Sequence, residues 1–255
     1  MPKTTASEYI VDKHINKASY LKFIKIAKNS GYHFVAFEDI DKYKKCIMLR
    51  HDLDLDLVFA HKMVLLEYRA GVKSTFFVML HNPLYNSFAK VNWMTFAKIK
   101  KLGHAFGLHF DASFYASKKF QMKQLKDWIQ SEVEILSKII DSKIYWISFH
   151  QPHKFIFSQD IIRNGKFESV YNEKYFGQIR YISDSGGRWR EETIIDLVKY
   201  GKPNKIQFLS HPVYWFTKGK LLRDRFDTVI EKRKIRLVEE FKNCINNYEK
   251  ELILY

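Results

Sequence analysis

The stretch Cys46-Ile-Met-Leu-Arg-His-Asp-Leu-Asp54 opens on a continuously apolar run and closes on a cluster of charged residues. Cys46 to Leu49 reads as a strand buried on both faces, and Arg50 to Asp54 as the polar segment that follows it. Leu55–Ala70 then reads as a helix stopped by Gly71, and Ser74-Thr-Phe-Phe-Val-Met79 as the next strand. The unit repeats. Asn92 is placed to cap a helix running to Leu102, followed by Gly103 and a strand over Ala105–Phe110. A long amphipathic helix over Phe120–Ile140 precedes a strand over Lys143–Phe149. A helix over Glu191–Tyr200, ended by Gly201, precedes a strand over Ile206–Ser210. A helix over Ile15–Ser30 stands before the first strand, and a charged helix over Asp224–Glu251 ends the chain. Buried strands alternating with helices imply an α/β fold with a largely parallel sheet. A doubly wound sheet and a (β/α) barrel both satisfy this pattern.

The 255 residues carry no internal repeat and no Pro/Gly-rich linker, so one domain over 1–255 is expected. Apolar residues make up 46% and aromatics 16%, which excludes disordered and low-complexity classes. The net charge of +15 favours anionic partners: nucleotide or phosphate groups, acidic membrane surfaces, or nucleic acid. Lysines are dispersed and no nucleic-acid module is recognisable, so no nucleic-acid partner is expected. Cys46 and Cys244 cannot form a disulfide framework, and no apolar stretch follows Lys3. A cytoplasmic protein, at most in peripheral contact with an anionic membrane, is expected.

In parallel α/β folds, ligand-binding residues gather beyond the C-terminal ends of strands. Four expected strand ends carry histidine: His51 with Asp52 and Asp54, His109 with Asp111, His150 with Gln151, and His211 with Pro212. Such Asp and His donors suit Zn²⁺, and also Mn²⁺, Co²⁺, Fe²⁺ or Ni²⁺. Asp52 and Asp54 are two residues apart, so in extended backbone they share a side: one can bind metal while the other stays free as a base. Asp54 reads equally as an N-cap. His104, at a strand's start, reads as structural. Dinucleotide, P-loop and nucleophile-elbow motifs are absent from the sequence.

Arg50-His51-Asp52-Leu53-Asp54, Ser74-Thr-Phe-Phe-Val78 and Gly103-His-Ala-Phe-Gly-Leu-His109-Phe-Asp111 resemble the polysaccharide deacetylase family, carbohydrate esterase family four. The variant with a His-Asp-x-Asp first motif, found in surface-polysaccharide biosynthesis, is the most similar. Ser148-Phe-His150-Gln-Pro152, Asp184-Ser-Gly-Gly-Arg188-Trp189 and Ser210-His211-Pro212 resemble its later motifs in order. The resemblance spans Cys46 to Trp215. It implies a distorted (β/α) barrel of about seven parallel strands and metal-dependent deacetylation of a sugar. It assigns Asp52 as catalytic base, Asp54 and His109 as metal ligands, and His211 as general acid.

Two positions depart from the family. Ser113 stands where the second motif usually has another His, and the His150 region replaces the third motif's Arg. The third ligand is then His150, which ends a neighbouring strand, or Asp111, two residues from His109. Arg50 or Arg188 would supply the positive charge beside Asp52. Asp184, Arg188 and Trp189 are expected to contact substrate, and Tyr214 and Trp215 read either as sugar-stacking rings or as core. A bacterial surface-glycan precursor, as a nucleotide sugar or a lipid-linked oligosaccharide, is the expected substrate. A catalytically degenerate sugar-binding protein and a basic nucleic-acid-binding protein are the alternatives.

Overall fold

A computed structural model describes residues 9–115, 121–151, 166–189 and 193–252. The chain runs through α1 (Lys17–Asn29), β1 (His33–Phe34), β2 (Cys46–Leu53), α2 (Leu57–Ala70), β3 (Thr75–Val78), α3 (Lys90–Lys101) and β4 (Ala105–Phe110). It continues through α4 (Ala112–Tyr115), α5 (Met122–Ile140), β5 (Trp146–Phe149), β6 (Glu168–Ser169), α6 (Glu173–Phe176) and β7 (Arg180–Ser183). It ends with α7 (Ile194–Tyr200), β8 (Lys205–Ser210), α8 (Pro212–Phe216) and α9 (Leu222–Leu252).

Seven strands form one parallel sheet in the order β6-β5-β4-β3-β2-β8-β7, and β1 pairs with the start of β2. The sheet curls into a half-barrel flanked by helices, which is the distorted (β/α) barrel. No helix among the described residues is long and apolar enough to cross a membrane.

β2 is the axis of the sheet and is buried along all eight residues. It extends past the apolar run: Arg50, His51 and Asp52 lie inside the strand, not beyond it. The period of two then sorts them. Arg50 and Asp52 share one face, while His51 faces the opposite side, towards α2. There His51 Nε2 stands 2.8 Å from Glu67 Oε1, and Nδ1 stands 2.7 Å from Ser210 Oγ. Tyr20 and Ser74 hydroxyls donate to the two Glu67 oxygens at 2.6 and 2.7 Å. His104 closes this buried network beside Ser74 at 3.1 Å, the structural place expected of it. The carboxylate is fully buried, and these partners satisfy it.

Local chemistry sets the helix ends. Asp56, rather than Asp54, caps α2 by accepting from Val58 N at 3.0 Å, which leaves Asp54 free. Gly71 closes α2 at φ +64°, a conformation that favours glycine. Asn92 is not a cap: α3 begins two residues earlier at Lys90, and the Asn92 side chain donates back to Asn86 O. α5 starts at Met122 behind a Gln121–Gln124 capping box, and α7 starts at Ile194 behind Thr193. Phe120, Pro152 and Glu191 lie outside the described residues.

Candidate active site

The C-terminal ends of three strands bring Asp54, His109 and His150 together at one rim of the sheet. Asp54 follows β2, His109 is the penultimate residue of β4, and His150 follows β5. The parallel register places His109 opposite Ser148, whose hydroxyl lies 2.6 Å from His109 Nδ1 and fixes the ring. His109 Nε2 is thereby turned to Asp54 Oδ1 at 3.1 Å and to His150 Nδ1 at 3.3 Å. His150 Nδ1 stands 3.9 Å from Asp54 Oδ1, and all three atoms lie within 4.8 Å of one another.

This triangle fits a cation. Two donors each about 2.1 Å from a shared tetrahedral ion lie about 3.4 Å apart. Asp54 Oδ1 is buried and receives no well-aligned hydrogen bond from the described residues, although His109 Nε2 is near. In the tautomer whose Nδ1–H donates to Ser148, His109 Nε2 turns a lone pair towards the lone pairs of Asp54, an arrangement that a cation at the centre satisfies. Asp111 takes no part: its Oδ1 accepts from Ser113 N at 2.9 Å and Ser113 Oγ at 2.7 Å. Ser113 thus holds Asp111 in a local turn, and His150 is the third member of the cluster.

Asp52 lies beside the cluster, 3% exposed. Arg50 grips it with two bonds, Nε to Oδ1 at 2.8 Å and Nη2 to Oδ2 at 2.7 Å. Burial alone would raise the Asp52 carboxyl, but Arg50 and then His109 outweigh it and hold the group below the usual carboxylate range. Arg50 is itself fully buried, bonded to Tyr171 Oη at 2.8 Å and Gln207 Oε1 at 3.3 Å. Arg50, and not Arg188, is therefore the cation beside Asp52; the Arg188 guanidinium lies over the Tyr9 ring.

His211 faces the cluster from the end of β8. Its Nε2 stands 3.4 Å from Asp54 Oδ2, and its Nδ1 stands 2.6 Å from Asp184 Oδ1. Burial works against the charged ring. Asp184 and Asp54 overcome it, so His211 is held protonated well above the usual imidazole range.

These groups line a cavity of about 720 Å³ with Tyr171, Phe176, Arg180, Tyr181 and Tyr214. None of the three residues expected to touch substrate is on its wall. Asp184 is fully buried behind His211, because its oxygens accept from His211 N and Trp215 Nε1 as well. Trp189 packs against Phe208 and Trp215, and Trp215 is itself core. Tyr214 does reach the cavity. Tyr171, Phe176, Arg180 and Tyr181 are not legible as site residues in the sequence, because they stand on or beside the short β7 and α6, which carry no apolar run. Gln151 joins the wall at φ +41°, a left-handed conformation uncommon for a non-glycine residue.

The sequence matches no family model and no curated protein. Solved structures do match. The Streptococcus pyogenes deacetylase PplD, in complex with acetate, superposes with a TM-score of 0.50 at 14% identity, covering 80% of this chain and 93% of that one. The two chains share a fold. The peptidoglycan deacetylase PdaC from Bacillus subtilis gives 0.43 at 17% identity, over 81% and 95% of the two chains. A mutant of the Bacillus anthracis family-four pseudoenzyme BA3943, with restored enzymatic activity, gives 0.43 at 16% identity over 76% of this chain. This chain spans 64% of that BA3943 structure.

Proposed function

We propose that this protein is a metal-dependent carbohydrate deacetylase that hydrolyses an N-acyl, or O-acyl, group from a sugar. One observation carries the reading: Asp52, gripped by Arg50, and His211, backed by Asp184, flank the Asp54–His109–His150 cluster within one cavity. The fold shared with a deacetylase solved with acetate supports it.

Asp54, His109 and His150 would hold a divalent ion, and one oxygen with two imidazole donors suits zinc. When bound, such an ion supplies Lewis-acid polarisation of the acyl carbonyl. Asp52, kept ionised by Arg50, accepts the proton that the attacking water gives up. His211, kept protonated by Asp184, donates a proton to the departing nitrogen, which is a poor leaving group as an anion. The C–N bond breaks, the acyl group leaves as a carboxylate, and the sugar keeps a free amine. Tyr171, Phe176 and Tyr181 give the cavity the aromatic wall that a sugar ring packs against.

The substrate we assign is a bacterial surface-glycan precursor, of lipopolysaccharide O-antigen or capsule, met in the cytoplasm or at the inner membrane face. The net charge of +15 supports a substrate carrying phosphate, as a nucleotide sugar or a lipid-linked oligosaccharide. Incubation of the metal-loaded protein with N-acetylated nucleotide sugars, following acetate release, tests the reaction. Release that disappears in Asp52→Asn is expected. Sugar binding without release from any substrate would replace the hydrolase with a degenerate sugar-binding protein.

A further inference from the structure

Resting on that reading, we infer that a second, apolar lobe of the site receives the acyl chain, and that this chain is longer than acetyl. The lobe has a volume of about 330 Å³ and meets the main cavity at Asp52, Asp54, His150, His211 and Tyr214. The reacting carbonyl therefore sits at the junction of two spaces. A planar trans amide directs its two substituents to opposite sides of the C–N bond. With the sugar in the polar, aromatic main cavity, the acyl substituent enters the second lobe.

Hydrocarbon dominates that lobe's wall: Leu55, Met79, Pro83, Leu84, Val213 and Phe226. Away from the junction, the polar groups Asn82, Asp56 and Asp111 are engaged by the protein itself. The Asn82 amide donates to Asp54 O at 2.9 Å, and its oxygen accepts from Leu84 N at 2.7 Å. Asp56 caps α2 and pairs with Arg236, and Asp111 is turned to Ser113. None of these groups needs a ligand to complete it, so the wall offers chiefly dispersion and burial. A methyl group is about the size of a water, roughly 30 Å³. The lobe is about ten times larger than acetyl requires, and its volume falls in the range of pockets that hold a ligand group of their own. Leu84, 38% exposed, stands at its solvent side, so a chain that outgrows the lobe has an exit.

The test is a chain-length series measured in two ways on the metal-loaded protein. Calorimetric binding of acetate, butanoate and hexanoate should strengthen by about 4-fold per methylene. In Leu84→Glu, which places a charge against the chain, the gain per methylene should fall to less than half. Turnover of N-acetyl-, N-butanoyl- and N-hexanoylglucosamine should rise in kcat/KM along the same series. Affinity that stays flat or falls beyond acetate, or a slope unchanged in Leu84→Glu, overturns the inference. Chain-length-dependent binding without turnover of any member leaves the lobe standing and rejects the hydrolase. Turnover confined to the acetyl sugar, with flat binding, leaves the hydrolase standing and rejects the lobe.

Discussion

His211 is held from behind by Asp184: the carboxylate stands 2.6 Å from His211 Nδ1 and also accepts its backbone N–H at 3.0 Å. The same carboxylate takes Trp215 Nε1 at 2.7 Å, so one buried group sets the position, tautomer and charge of the imidazole. Asp184→Asn keeps the shape and removes the charge. Turnover should fall by ~10²–10⁴-fold, the range expected when an imidazole loses its orienting carboxylate and its proton. Metal content should stay at the parent level, since Asp184 does not reach Asp54, His109 or His150. Metal analysis beside steady-state kinetics checks both halves.

Gly107 sits two residues before His109 on β4, beneath the cluster. A Cβ at this position would lie 2.3 Å from Phe77 Cε1 and 2.7 Å from the Trp146 carbonyl. Gly107→Ala should therefore destabilise the fold by ~1–3 kcal/mol, as overpacking of a core does. It should also weaken metal binding, because the displaced strand carries His109. Thermal melts with and without added zinc measure the two effects; a melting temperature equal to the parent's would contradict the packing argument.

Much of the fold is legible in the sequence because parallel strands covered on both faces are largely apolar: Cys46–Leu49 is wholly so, and Thr75–Val78 and Ile206–Leu209 depart from it only at Thr75 and Gln207. The strands β1, β6 and β7 are not legible: each is two to four residues long and carries charged, hydroxyl or imidazole side chains. The site was legible to the extent that its groups end strands. Asp52, Asp54, His109, His150 and His211 come together because adjacent strands end at one rim. The supporting groups were harder to place. Asp184 stands in a Ser- and Gly-rich turn where it is expected to contact substrate, and its burial depends on Trp215 and His211, which arrive from elsewhere in the chain. Arg50 and His51 read as a polar loop, yet both are strand residues whose partners are distant in sequence: Tyr171 and Gln207 for one, Glu67 and Ser210 for the other.

Glu132 on α5 gives a pH dependence separate from that of Asp52 and His211. It is 1% exposed, its Oε1 has no hydrogen-bond partner among the described residues, and His81 Nε2 is 3.6 Å away. Burial pushes its carboxyl up to about 7, against the opposing pull of the Tyr115 hydroxyl. Between the unfolded value near 4.5 and about 7, the folded protein keeps a proton that the unfolded chain has released. Its contribution to stability therefore declines as pH rises through that window and levels off above it. Glu132→Gln should melt higher than the parent at pH 8, and the difference should vanish near pH 4.5. A difference of the same size at both pH values would contradict this.

The division of work between Asp52 and Asp54 is the central claim, and metal content in two isosteric variants tests it most directly. Asp52 has both oxygens on Arg50 and stands beside the cluster, whereas Asp54 directs an unpartnered oxygen into it. Metal per chain, measured by elemental analysis after dialysis, should remain at the parent level in Asp52→Asn while turnover falls by ~10²–10⁴-fold. In Asp54→Asn metal should be lost first, and excess zinc should restore part of the activity. Metal loss and zinc rescue in Asp52→Asn, with Asp54→Asn retaining its metal, would contradict the account.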